Sequence, residues 1–112
     1  MYPGVIYEQA ITICSTTLDD ALSRIAGALR QNALVMDVQG AEVVVLRGAT
    51  KSLRQFQWVF AECADFEIYR NGCTYKQLET FLESVGFTER ERHLKESRDD
   101  LGSTYDVLFV RA

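Results

Sequence analysis

The chain has 112 residues, 47% hydrophobic and 25% charged, with a formal net charge of −4. This size allows one domain, the balance is that of an ordinary soluble globular chain, and the net negative charge excludes nucleic acid as the main partner, because phosphate binding needs clustered Lys and Arg. No apolar run approaches the roughly 20 residues that span a bilayer. The segment MYPGVIYEQA carries neither a basic leader nor a hydrophobic signal core, so no membrane and a cytoplasmic location are expected. The three cysteines, Cys14, Cys63 and Cys73, form no C-x-x-C pair, and with His93 as the single histidine no zinc-like spacing exists, so no metal is expected.

In chain order, residues 5–14 are β-prone, with Ile11 and Ile13 alternating around Thr12, and read as a short strand or an extended arm. Thr17 then caps a helix whose Asp19 and Asp20 meet the positive end of its dipole, and Leu18, Leu22, Ile25 and Leu29 form its apolar stripe. Gly27 weakens that helix near its end. Residues 33–36 are apolar without alternation, the pattern of a strand covered on both faces. Asp37 ends it, and after a turn through Gly40, Ala41 and Glu42, the residues Ala41, Val44, Val45 and Leu46 begin a helix that Gly48 interrupts and whose propensity is poor because of three consecutive valines. Leu53 closes a second short turn.

Residues 57–64 (QWVFAECA) form another predicted strand. A loop at 65–72 carries Phe66, Ile68 and Tyr69, which is aromatic for a loop. Residues 74–85 are the clearest helix: Thr74 and Gln77 make a capping box, Leu78, Phe81, Leu82 and Val85 form the apolar face, and Gly86 ends it. Residues 87–93 and 104–110 are two last strands joined by the polar loop KESRDDLGS. The charges from Arg90 to Arg98 alternate in sign and read as a solvated face. Alternating strands and helices predict an α/β fold with a mostly parallel sheet and right-handed crossovers, the final pair being antiparallel.

The most informative segment is LVMDVQGAEVVVLRGA, from Leu34 to Ala49. In open α/β sheets ligands sit outside the carboxyl ends of the strands, so Asp37 and Glu42 are candidate catalytic residues. Each also has a purely structural reading: Asp37 as a turn or cap residue, Glu42 as an acid at a helix N-terminus. Glu62 lies in an apolar strand, where a carboxylate is costly unless paired, and is either a substrate-binding group or a satisfied structural acid. Tyr69, with Phe66, either walls an acceptor pocket or packs on the core.

The words L-V-M-D-V-Q-G-A-E and V-L-R-G-A resemble the FkbM-type methyltransferases, whose segment reads L-[KV]-[IM]-D-V-[EQ]-G-A-E followed by V-L-[KR]-G-A. TTLDDAL, from Thr16 to Leu22, resembles the T-L-D-D-L segment of the same family. The resemblance implies the carboxyl-terminal half of a Rossmann-like class I methyltransferase sheet, with 33–37, 57–64, 87–93 and 104–111 as its fourth to seventh strands and the seventh inserted beside its neighbours. It implies methyl transfer from S-adenosylmethionine to a hydroxyl of a small molecule or sugar, with Asp37 and Glu42 near the reacting groups and Glu62 matching an acid of the fifth strand. The family's donor-binding motif is a glycine-rich turn, and the seven glycines here contain no G-x-G, so the donor-binding residues are not assigned. The chain is expected to be one partial domain, an extended arm over 1–15 and the family-like region over 16–111, truncated before its donor-binding strands. An exposed parallel edge would then invite self-association or pairing with a missing amino-terminal half, and the rival expectation is a non-catalytic interaction module working through that edge.

Overall fold

The structure is a computed structural model that describes residues 4, 6–25 and 33–112. Its elements are α1 (Leu18–Ser23), β1 (Ala33–Met36), α2 (Glu42–Arg47), a 3-10 turn (Ser52–Gln55), β2 (Trp58–Ala64), α3 (Tyr75–Ser84), β3 (Phe87–Arg98) and β4 (Gly102–Arg111). They form a small α/β fold around one four-stranded sheet of order β1-β2-β4-β3.

The expectation of a mostly parallel sheet is overturned. Only β1 and β2 pair in parallel, while β2–β4 and β3–β4 are antiparallel. The reason is connectivity. A helical crossover returns the chain in the same direction between β1 and β2, whereas β4 follows β3 through a tight turn and then inserts between β3 and β2. The final hairpin is antiparallel as the missing helix requires. It is also longer than expected: β3 continues past His93 to Arg98, and of the residues read as loop, Ser97 and Arg98 pair with Ser103 and Gly102, and Glu96 with Thr104, after a register shift at Lys95. Charge patterning hid this strand, because β3 is an edge strand exposed along most of its length and does not need alternating apolar residues.

The core lies on one sheet face. Met36, Val59, Ala61, Cys63, Val107 and Phe109 meet Leu46 of α2, Leu78 and Leu82 of α3, and Phe87. Adjacent residues of the same strands face the other way, and there Val35 is 70% exposed while Trp58, Phe60, Leu108 and Val110 are half-buried. Cys63 is buried, as its apolar strand implies.

Local chemistry explains the helix ends. The Thr74 hydroxyl accepts from Gln77 N–H and the Gln77 side chain returns the bond to Thr74 N–H, which is the predicted capping box. Thr17 caps α1 by accepting from Asp20 N–H. That helix is only six residues long, so its apolar stripe ends short of the expected length, and the expected helix end near Gly27 and Leu29 lies outside the described residues. Residues 6–17 form no strand and are exposed, in keeping with the arm reading over the strand reading. Among the described residues no helix is long and apolar enough to cross a membrane.

Candidate functional site at the carboxyl ends of β1 and β2

Because β1 and β2 are parallel, their carboxyl ends deliver Asp37 and Ala64 to the same edge of the sheet. Two connections close over that edge: the turn 37–41 after β1 and the loop 65–73 after β2. The turn reverses through Gln39 at φ +53° and Gly40 at φ +97°, both left-handed, with Ala41 N–H donating to Val38 C=O at 3.2 Å. A left-handed residue other than glycine is uncommon, and here Gln39 uses the conformation to aim its carboxamide backwards. Its Nε2 donates to Asp37 Oδ1 at 2.9 Å, and its Oε1 accepts from the Tyr69 hydroxyl at 3.3 Å.

Asp37 itself is exposed, whereas Glu42, in the first turn of α2, is 2% exposed. Its Oε1 accepts from Gly40 N–H at 3.3 Å and its Oε2 from the Cys73 thiol at 3.2 Å. The seam between turn and loop is glycine on glycine: a Cβ on Gly40 would lie 3.1 Å from the Gly72 Cα, and Cys73 N–H donates to Gly40 C=O at 2.8 Å. Burial first, then the hydrogen bond to and repulsion from the Glu42 carboxylate, with a backbone hydrogen bond from Val43 counteracting in part, together push the Cys73 thiol up to about 11. A thiol in that range is protonated near neutrality and is no nucleophile.

Glu62 lies on β2, on the sheet face opposite the core, and its Oε2 is 2.9 Å from the Lys95 ammonium of β3. That bond and the attraction of the carboxylate raise the Lys95 pKa, and the apolar strand therefore carries a paired acid.

Asp37, Glu42 and Glu62 line one crevice together with Gln39, Cys73 and Thr104, while Tyr69 stands behind Gln39 and is not in the lining. The crevice encloses about 20 Å³, room for roughly one water. A larger groove of about 730 Å³ runs between α2 and α3, past Val44, Arg47, Lys76, Gln77 and Phe81. It shares only Gly40 and Cys73 with the crevice. Sequence reasoning missed Gln39, Lys95 and Cys73. The Gln-Gly pair at a strand end signals a left-handed turn and could have exposed Gln39. Lys95 was placed in a loop, and a single cysteine far from Glu42 in sequence carries no signal of contact.

His93 sits on the edge strand β3 with its Nε2 3.5 Å from Glu91 and its side chain 74% exposed, away from the crevice. Among the described residues no group of three His, Cys, Asp or Glu could hold a metal ion.

The arrangement is a carboxylate-lined strand end in which Asp37 is open and oriented, and Glu42 is enclosed. The family model of the methyltransferase FkbM domain matches residues 4–89, which include the whole turn, Glu42, Glu62 and the loop up to Cys73. Comparison with the curated proteins and with the solved structures gives no significant match. All of the crevice lining except Thr104 thus falls in the matched segment, and the chain belongs to the FkbM methyltransferase domain family.

Proposed function

We propose that this chain forms the acceptor side of a methyltransferase site that moves a methyl group from S-adenosylmethionine to a hydroxyl of a small molecule or sugar. The observation that carries this reading is the open, hydrogen-bond-oriented Asp37 carboxylate at the end of β1, inside the family-matched segment. The sheet order, with β4 between β2 and β3, supports reading β1, β2, β3 and β4 as the fourth to seventh strands of a Rossmann-like methyltransferase sheet.

S-Adenosylmethionine supplies a methyl group on a positively charged sulfonium. The acidic lining of the crevice fits that charge, but its 20 Å³ does not hold the adenosyl group. With no G-x-G in the chain, the proposal takes the donor-binding turn from another polypeptide segment. The part left to these residues is positioning and proton transfer. Asp37 takes the proton from the acceptor hydroxyl as its oxygen becomes a nucleophile, Gln39 and Tyr69 keep that carboxylate aimed, and Glu62 offers a hydrogen-bond acceptor to the substrate on the neighbouring strand.

A second reading has its own support. Among the described residues nothing pairs with the outer edge of β1, and Ile6, Tyr7, Ile11 and Ile13 of the arm are 67–83% exposed. Such surfaces fit an interaction module that pairs with a second copy or with a donor-binding partner.

Calorimetric titration of the folded chain with S-adenosylmethionine tests the first reading, with circular dichroism to establish folding. Saturable binding at micromolar donor sustains it. A folded chain that gives no heat removes methyl transfer by this chain alone and leaves the interaction module.

A further inference from the structure

The turn after β1 and the loop before α3 meet at Gly40 and Gly72, where no side chain exists to interlock them. What holds the seam is polar. Gly40 is gripped at both ends, its C=O by Cys73 N–H at 2.8 Å and its N–H by Glu42 Oε1 at 3.3 Å, while the Cys73 thiol holds Glu42 Oε2 at 3.2 Å. Glu42 is 2% exposed, so each of its oxygens depends on these donors, and a carboxylate stripped of them in that place would be strongly destabilising.

The geometry points to Cys73 as a positioning residue for the crevice, acting through the Glu42 carboxylate to fix the turn that carries Asp37. This rests on the acceptor-site reading above and divides the acids by role. Asp37, exposed, faces the ligand, and Glu42 holds the frame. The thiol serves as a small hydrogen-bond donor at a spot that touches both the crevice and the α2–α3 groove. Its raised pKa agrees with a proton kept on sulfur to hold the carboxylate.

The test uses the full chain with Cys73→Val, Cys73→Ser and Glu42→Gln, followed by amide hydrogen exchange at Gly40 and by titration with S-adenosylmethionine. Valine removes the donor and should speed Gly40 exchange about tenfold, whereas serine, which can donate to Glu42, should restore it to within about twofold. In Glu42→Gln, Cys73 should react about tenfold faster with an aromatic disulfide reagent, because the carboxylate no longer retains its proton. If Cys73→Val does not fold, serine rescue and the glutamine variant decide alone. Gly40 exchange that none of the variants moves overturns the proposal, as does a Cys73 whose reactivity ignores Glu42→Gln. Should the wild-type chain bind the donor, valine should weaken binding and serine regain it, and binding indifferent to a loosened turn also overturns the positioning role. Should it bind none, methyl transfer by this chain alone is removed while Gly40 exchange still decides the clamp.

Discussion

The Asp19 carboxylate reaches from α1 to the turn that follows α2, where its Oδ1 accepts from both the Ser52 N–H at 2.7 Å and the Ser52 hydroxyl at 2.6 Å. Its Oδ2 takes the Lys51 N–H at 3.0 Å and the Thr50 hydroxyl at 3.4 Å. The acid of the T-L-D-D segment thus caps the 3-10 turn and ties the chain before β1 to the start of β2.

Asp19→Ala should therefore destabilise the fold by about 1–3 kcal/mol, read as a lower urea midpoint at unchanged slope. Partial burial pushes the Asp19 pKa up, but the bonds from Ser52, Lys51 and Thr50 outweigh it and hold the pKa below the usual carboxylate range. A depressed folded-state pKa contributes stability above the unfolded value, near ~4, that is lost as pH falls through the folded value. The wild type should thus lose more stability below about pH 4 than Asp19→Ala does. Equal acid slopes would count against the latch.

Gly40 should tolerate no side chain. At φ +97° an L residue is strained, and the new Cβ would meet the Gly72 Cα at 3.1 Å. Gly40→Ala is expected to cost about 1–3 kcal/mol and to part the seam, seen as faster exchange of the Cys73 amide. Gly4, at φ +87° with open space around it, is the control: alanine there should leave the Cys73 amide unmoved.

How much of this was legible depends on the range over which each signal acts. The capping box of Thr74 and Gln77, the apolar face of α3 and the positions of β1 and β2 follow from residues a few positions apart and were read correctly, but the cover expected on both faces of β1 fails, since Val35 is 70% exposed. Asp37, Glu42 and Glu62 were legible as candidate acids, and they line one crevice, but the groups that hold them were not. Asp19 reaching Ser52, Cys73 reaching Glu42 and Lys95 reaching Glu62 each span more than thirty residues, and no local periodicity encodes them. The parallel-sheet expectation failed for a related reason. Counting helices between strands fixes direction only for consecutive strands, and inserting β4 beside β2 makes an antiparallel pair that no crossover rule shows.

Tyr75 should give the alkaline counterpart of Asp19. Its hydroxyl contacts the carboxylates of both Glu79 and Glu89, and the Arg92 guanidinium lies 4.9 Å from its ring centroid. Partial burial, with hydrogen bonds to and repulsion from the two acids, raises the phenol's pKa well above its ordinary value. A raised folded-state pKa gives stability that is full below the unfolded value, near ~10, and declines as pH climbs beyond it. Tyr75→Phe keeps the ring under Arg92 but removes the donor, and should cost about 1–2 kcal/mol at neutral pH. The variant should also lose the wild type's extra decline in unfolding midpoint above about pH 10, and an unchanged alkaline slope would show that Tyr75 is not its source.

The two sheet edges are defended very differently, and this decides where a partner would bind. β3 is guarded by Arg90, Glu91, Arg92, Lys95 and Glu96 and by two register shifts, whereas β1 is Ala-Leu-Val-Met with Val35 70% exposed. If the chain pairs with another polypeptide, β1 is the edge it uses. Val35→Lys puts a charge on that edge at a position already in solvent, so its unfolding midpoint should stay within about 0.5 kcal/mol of wild type. Sedimentation over a range of concentrations should then show the wild type associating and the lysine variant monomeric. A lysine variant that associates as strongly as the wild type moves the contact away from β1, and a wild type that stays monomeric at high concentration leaves the edge for a partner other than itself.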